Sequence, residues 1–342
     1  MKFQNVVLES LAYAQPPEVL SSEQLEERLR PLYERLKLPF GRLELMTGIK
    51  ERRFWPSDHR PSAASAEAGL SALERSGIMR DQVEVLIHAS VCRDMLEPAT
   101  AAFVHKELGL RDDCQVFDLS NACLGFLNSM VLLGSMIDSG QIRCGMVTVG
   151  ENGRPLVEKT LAELLEKPLT RNGIKPYFAN LTIGSGACAG VLCHEDLAPG
   201  GHRLLAGACR AATQHSNLCL GDASSDGLAM QTESELLLDA GVAVAADTWE
   251  AFKLNTDWDE QTPDRIVCHQ VGSVHRRRLY ETLKLDPKRD FSTFEAFGNT
   301  GSAALPVTLA RAVEEGAIKV GDRVALLGIG SGINCMMLAM QW

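Results

Sequence analysis

The chain has 342 residues, 45% hydrophobic and 23% charged, with a formal net charge of −10. That length exceeds the comfortable size of one hydrophobic core, so two domains or a duplicated domain are expected of an otherwise ordinary globular composition. The acidic balance argues against nucleic acid as the main partner, because neutralising phosphates needs a broad basic surface.

The opening residues, "MKFQNVVLESLAYAQPPE", carry charge within the apolar stretch and lack a sustained apolar core, so a cleaved signal is not expected. "SSEQLEERLRPLYERL" (21–36) and "SAASAEAGLSALERSG" (62–77) read as amphipathic helices. "VEVLIHASV" (83–91) and "CQVFDLS" (114–120) read as strands, and helices alternating with short apolar strands point to an α/β layered fold. After Cys123, residues 124–137 form a helix that is apolar nearly all round, which predicts burial in the domain centre. The apolar C-terminal stretch "VALLGIGSGINCMMLAMQW" is Gly-rich and interrupted by Ser331 and Asn334, which suits a core strand and turn better than a membrane span. No membrane insertion and a cytoplasmic location are therefore expected. None of the ten cysteines forms a CxxC pair, so reduced, mostly buried thiols are expected, with neither a disulfide framework nor a metal site.

The second half repeats the first. "NACLGFLNSMVLLGSMIDSGQIRCGMVTVG" aligns without gaps to "GNTGSAALPVTLARAVEEGAIKVGDRVALLGIG" at an offset of 176, pairing Gly125 with Gly301, Gly140 with Gly316, Ile142 with Ile318 and Gly145 with Gly321. Upstream, "LIHASV" matches "IVCHQV" at an offset of 180. Two copies of one strand–helix unit place Cys123 opposite Asn299 across a pseudo-symmetry axis, with His269 at the end of the repeated strand, where α/β folds present ligand-facing groups.

Cys123 precedes a helix N-terminus, whose dipole favours thiolate over thiol and so favours nucleophilic attack. Read alone, Cys123 is equally a packed core cysteine, His269 a hydrogen-bonded core histidine and Asn299 a turn residue or helix cap. Together they make a nucleophile with two neutral hydrogen-bond donors, a set suited to thioester chemistry. "GIGSGINC" (328–335) is either a tight turn or a place where backbone N–H groups approach a ligand, completing an oxyanion hole beside the N–H of Cys123.

In order and spacing, "TGIKERR", "FDLSNACLGF", "IGSGACAGVL", "HQVGSVH", "FGNTGSAALP" and "GDRVALLGIGSG" resemble the β-ketoacyl-ACP synthase III family of thiolase-fold condensing enzymes, over nearly the whole chain. The resemblance implies a five-layer α/β/α/β/α thiolase fold, with half one at 1–195 and half two at 196–342, assembled as a homodimer. It implies that Cys123 is acylated from acyl-CoA, that the backbone N–H groups of Cys123 and Ser331 form the oxyanion hole, and that His269 and Asn299 hold the thioester carbonyl of the second substrate. CoA thioesters enter as substrates, and no cofactor is implied. The main expectation is decarboxylative Claisen condensation with malonyl carried on acyl carrier protein.

Two departures bear on that expectation. Where acetyl-primed members carry a Trp and an Arg that hold CoA, this chain has Arg42 and Met46. Glu97, in "RDMLEPATAAF", stands where the family usually has an apolar residue reaching into the partner subunit. A carboxylate there resembles the branch that joins two long-chain acyl-CoAs head to head, in which it acts as base; a solvated loop carboxylate is the other reading. The alternative function is thus non-decarboxylative head-to-head condensation, or acyl transfer to another acceptor. Basic clusters that include Arg52, Arg53, Arg276 and Arg277 are either solvated faces or a surface for CoA phosphates or the acidic carrier protein. A Cys–His–Asn set also fits a papain-like hydrolase, or a non-catalytic acyl-binding scaffold, although the internal repeat and the ordered motifs favour neither.

Overall fold

A computed structural model describes residues 1–224 and 227–342. From the N-terminus run β1 (Val6–Ala14), then β2 (Glu18–Ser21) and β3 (Glu51–Phe54), an antiparallel pair that encloses α1 (Ser22–Arg28), α2 (Arg30–Leu36) and α3 (Arg42–Thr47). There follow α4 (Pro61–Arg75), β4 (Val85–His88), α5 (Thr100–Leu108), β5 (Gln115–Asp118), α6 (Gly125–Asp138), β6 (Cys144–Glu151), α7 (Arg154–Glu166) and β7 (Gly186–His194). Beyond it come β8 (His202–Ala211), the hairpin β9 (Cys219–Ser224) and β10 (Gly227–Thr232), α8 (Ser234–Thr256), β11 (Arg265–Cys268), α9 (Ser273–Leu283), α10 (Phe294–Phe297), α11 (Ala304–Glu314), β12 (Arg323–Gly330) and β13 (Asn334–Gln341).

One nine-stranded mixed sheet has the order β11-β12-β13-β8-β1-β7-β6-β4-β5. On either side of the short β1–β8 junction, where Val7 pairs with Arg203 and Leu8 with His202, the two runs of strands follow the same pattern. β4 is parallel to β6 as β11 is to β12, and β6 is antiparallel to β7 as β12 is to β13.

Strand periodicity assigns the layers, because alternate side chains face opposite sides. Cys144 and Met146 of β6 join the cluster with α4 and α5, whereas Val147 and Val149 turn inward to α6 and α11. Along β13, Cys335, Met337 and Ala339 pack with α8 and α9, and Met336, Leu338 and Met340 with the same central helices. The result is the thiolase-like α/β/α/β/α layering, with α6 and α11 as the middle layer. α6 is buried through Phe126, Leu127, Met130, Leu133 and Ile137, as its apolar pattern requires.

Two details of the sequence reading change. The helix expected over 21–36 is broken at Leu29 into α1 and α2, because Pro31 has no N–H to continue the ladder and sits in the first turn of a new helix. The gapless repeat also fails past Ile318. Gly145 lies inside β6 opposite Val85, but its structural counterpart opposite Arg265 is Val324, an offset of 179. Gly321 instead occupies a turn at φ +95°, where Lys319 and Asp322 bond each other, so the second half holds three extra residues. Gly140 and Gly316, which end α6 and α11 at φ +72° and +69°, keep the offset of 176.

Candidate active site

Three turns carry the residues singled out above, one after β5, one after β11 and one between α10 and α11. In the first, Ala122 adopts a left-handed φ of +44° and throws Cys123 forward of α6. Gly125 opens that helix hard against β4: a Cβ there would stand 2.8 Å from the Ala89 carbonyl oxygen. In the second, the His269 N–H donates to the Leu327 carbonyl at 2.9 Å, extending the β11–β12 ladder by one residue. In the third, the Asn299 N–H donates to the Thr182 carbonyl at 2.8 Å, and its carbonyl accepts from the Gly184 N–H at 2.9 Å. Its side-chain oxygen is taken by the Gly301 N–H at 3.0 Å, so the amide NH2 is the end left to donate.

The turns meet. Ser302, at the start of the α11 segment, donates its hydroxyl to the Ala122 carbonyl at 2.5 Å, tying the Asn299 turn to the cysteine elbow. Gly330, at the end of β12 and next to Ser331, lies so close that a Cβ on it would be 3.3 Å from the Cys123 nitrogen. Asn334 donates to the Asn121 side chain at 3.2 Å, and Asn121 to Asn128 at 2.8 Å, a chain of amides that fixes the elbow against β13.

The electrostatics correct the thiolate expectation. Cys123 lies ahead of the helix rather than in its first turn, and burial, with Glu151 and Cys219 nearby, pushes its thiol up to about 12. Burial, helped by the neighbouring His275, holds the His269 imidazole down to about 3. The resting thiol and the resting imidazole are therefore both neutral, and a thiolate at Cys123 has to form as its proton leaves. The His269 Nδ1 has no partner among the described residues. Such an arrangement can move a proton off sulfur, hold a thioester carbonyl with two neutral donors, and stabilise an oxyanion with backbone N–H groups.

Other candidates are placed differently. Glu97 is exposed on the loop between β4 and α5, flanked by Leu96 at 89% exposure and the exposed Met95. Arg52 is not on a surface: it is 0% exposed and donates to Ser22 Oγ at 3.1 Å, because β3 turns it inward beneath the helical cap. Arg276 is also committed inward, to the buried Asp290 carboxylate and to the Pro287 carbonyl at 3.0 Å. Arg53 is half-buried beside Glu51 and over the Phe297 ring, and Arg277 is exposed. Arg42 and Met46 are exposed on α3, whose end packs on the start of α9: a Cβ on Gly272 would meet the Thr47 carbonyl oxygen at 2.8 Å. No helix among the described residues is long and apolar enough to cross a membrane.

One group escaped the sequence reading. Glu151 ends β6, is 3% exposed, and receives the N–H groups of Val91 at 2.8 Å, Cys92 at 2.9 Å and Ser302 at 3.1 Å. Its signal was a single charge closing the otherwise uncharged strand "CGMVTVGE".

Comparison with known proteins fits this geometry. Residues 255–342 match the C-terminal domain model of 3-oxoacyl-[acyl-carrier-protein] synthase III. The chain is 39% identical to an acyl-CoA:acyl-CoA alkyltransferase of Shewanella oneidensis and 37% identical to one of Xanthomonas campestris, over the full length of both partners in each case. It is 28% identical to a β-ketoacyl-[acyl-carrier-protein] synthase III of Symbiobacterium thermophilum, over all of this chain and 99% of that one. A crystal structure of the Xanthomonas campestris protein, OleA, superposes with a TM-score of 0.96 over 100% of this chain and 98% of that one, at 37% identity. Another, with bound lauric acid and lauroyl-CoA, gives 0.95 over 99% and 100%, also at 37% identity.

Proposed function

Because the chain belongs to the acyl-CoA:acyl-CoA alkyltransferases among the synthase III-like condensing enzymes, we propose that it joins two acyl-CoA thioesters head to head, without decarboxylation. This revises the expectation of malonyl-ACP as the main second substrate, since the relatives at 37–39% identity carry the alkyltransferase name and the synthase III relative stands at 28%.

In this reading the chain works as two halves, 1–195 and 196–342, the first giving the Cys123 turn and the second the turns of His269 and Asn299. The Cys123 sulfur attacks the carbonyl carbon of the first acyl-CoA while His269 takes the thiol proton and returns it to the departing CoA sulfur. The N–H groups of Cys123 and Ser331 hold the oxyanion. The second acyl-CoA enters with its thioester oxygen on His269 and the NH2 of Asn299. Loss of its α-proton to Glu97 generates an enolate, whose carbon attacks the acyl carbonyl and expels Cys123, which recovers the proton. Two acyl-CoA molecules yield one β-ketoacyl-CoA and one CoA.

Glu97 is exposed within its own chain, and its flanking Leu96 and Met95 are apolar and uncovered, on the edge of the sheet that ends in β5. We infer a homodimer in which this loop enters the partner subunit's acyl pocket. Of the four arginines named above, Arg53 and Arg277 are not committed inward, and we assign them to the CoA phosphates; a carrier protein is not required. The single observation that carries the reading is the carboxylate of Glu97 at a position where decarboxylating relatives need none. Product analysis with one acyl-CoA and no malonyl thioester tests it: a β-keto product of twice the chain length supports the reading, and product formed only with a malonyl thioester overturns it.

A further inference from the structure

Glu151 is a buried carboxylate that the reaction above does not use, and no cation among the described residues is bonded to it. Both oxygens are filled by backbone donors from two different places: Val91 and Ser302 on Oε1, Cys92 on Oε2. Val91 and Cys92 are the root of the loop that carries Glu97. Ser302 belongs to the turn that carries Asn299, and a Cβ on Gly301 would stand 3.1 Å from the same carboxylate oxygen.

The internal repeat shows what this place is for. At the offset of 179 set by strand register, Glu151 at the end of β6 corresponds to Gly330 at the end of β12. Gly330 has no side chain, and a Cβ there would stand 3.3 Å from the Cys123 nitrogen. The corresponding residue of the first half carries a carboxylate, which accepts from the Ser302 N–H at 3.1 Å. One half thus has a glycine at this strand end, against the cysteine elbow, and the other a carboxylate bonded to the turn that carries Asn299.

We propose that Glu151 is a positioning residue: its carboxylate locks the Asn299 turn and the root of the Glu97 loop into one unit, so that the donors for the second thioester and the loop bearing the base are set together. This deepens the reading under Proposed function and rests on it for the role of Glu97. The acylation side has supports of its own in α6 and the Asn334–Asn121–Asn128 chain, besides the bond from the Ser302 hydroxyl to the Ala122 carbonyl. Glu151 also raises the Cys123 thiol pKa, as an anion near a forming thiolate must.

The test compares wild type with Glu151→Gln and Glu151→Asp. Acyl-Cys123 is measured by intact mass, condensed product by turnover, and the Cys123 alkylation rate across pH. Gln keeps the shape but sets an NH2 against a backbone N–H; Asp keeps the charge but falls short of one of the two anchor points. Both are expected to acylate within about threefold of wild type and to lose condensation by about 10- to 100-fold in kcat with little change in KM. Gln alone moves the alkylation profile to lower pH. If Gln fails to fold, Asp carries the test. Condensation at the wild-type rate in either folded variant overturns the proposal, as does equal loss of acylation and condensation. Wild-type product from acyl-CoA alone tests the head-to-head reading by itself; if the wild type needs a malonyl thioester, that reading falls, and the Glu151 split is read on the malonyl reaction.

Discussion

The two halves of the sheet present the same three positions with opposite contents. At the helix-opening turn, the first half has Cys123 and the second Asn299. Just past β4 and β11, Ala89 and His269 make the same ladder bond, to the carbonyls of Thr148 and Leu327 at 2.8 and 2.9 Å. At the end of the next strand stand Glu151 and Gly330. In the proposed reading one half supplies the nucleophile and a bonded carboxylate, and the other supplies two donors and a glycine. Duplication provided two equivalent turns across an axis, and the chemistry arises from their having become unlike.

Substitutions that erase each contrast rank as follows. Cys123→Ala removes the nucleophile, and the acyl adduct should vanish from the intact mass while condensation falls by roughly 10³-fold or more. Asn299→Ala takes away a donor for the second thioester; condensation should fall by about 10²-fold in single-turnover assays while the acyl adduct still forms. Gly330→Ala sets a methyl group against the Cys123 N–H, so acylation should slow by about 10-fold or somewhat more, read as the rate of appearance of the adduct. Ala122→Gly relieves the left-handed strain at the elbow but loosens the unfolded chain, and thermal unfolding should register a gain of no more than about 1 kcal/mol. The smallest effect is a null one. Burial keeps His269 neutral above about 3 and Cys123 protonated below about 12, so the acylation rate should show no inflection from either group between about pH 5 and 9. A step near the ordinary histidine value would mean a more solvated imidazole than this site has.

What the sequence made legible follows from what is local or periodic. The repeat was visible because helices and strands keep their spacing, and it led directly to Cys123, His269 and Asn299. It broke at Ile318 because a three-residue turn changes register without disturbing the apolar pattern on either side. Arg52 and Arg276 read as surface cations because sequence shows charge but not direction: one is turned inward by the β2–β3 pair, the other drawn to the buried Asp290, which lies 14 residues away in sequence. The thiol's shift was misjudged because the helix dipole is a local term, whereas burial and the Glu151 charge come from segments far apart in the chain. Glu151 itself was invisible as a site because its partners lie about 60 and 151 residues away.

The central claim is that the first half holds an acyl group on Cys123 while the second half presents another acyl-CoA to it. Enzyme loaded with one acyl chain, freed of CoA and then given an acyl-CoA of different length tests this directly. The expected result is a crossed β-keto product whose ketone carbon comes from the chain preloaded on Cys123. A product built only from the second acyl-CoA, or release of the first chain as free acid with no crossed product, would contradict it.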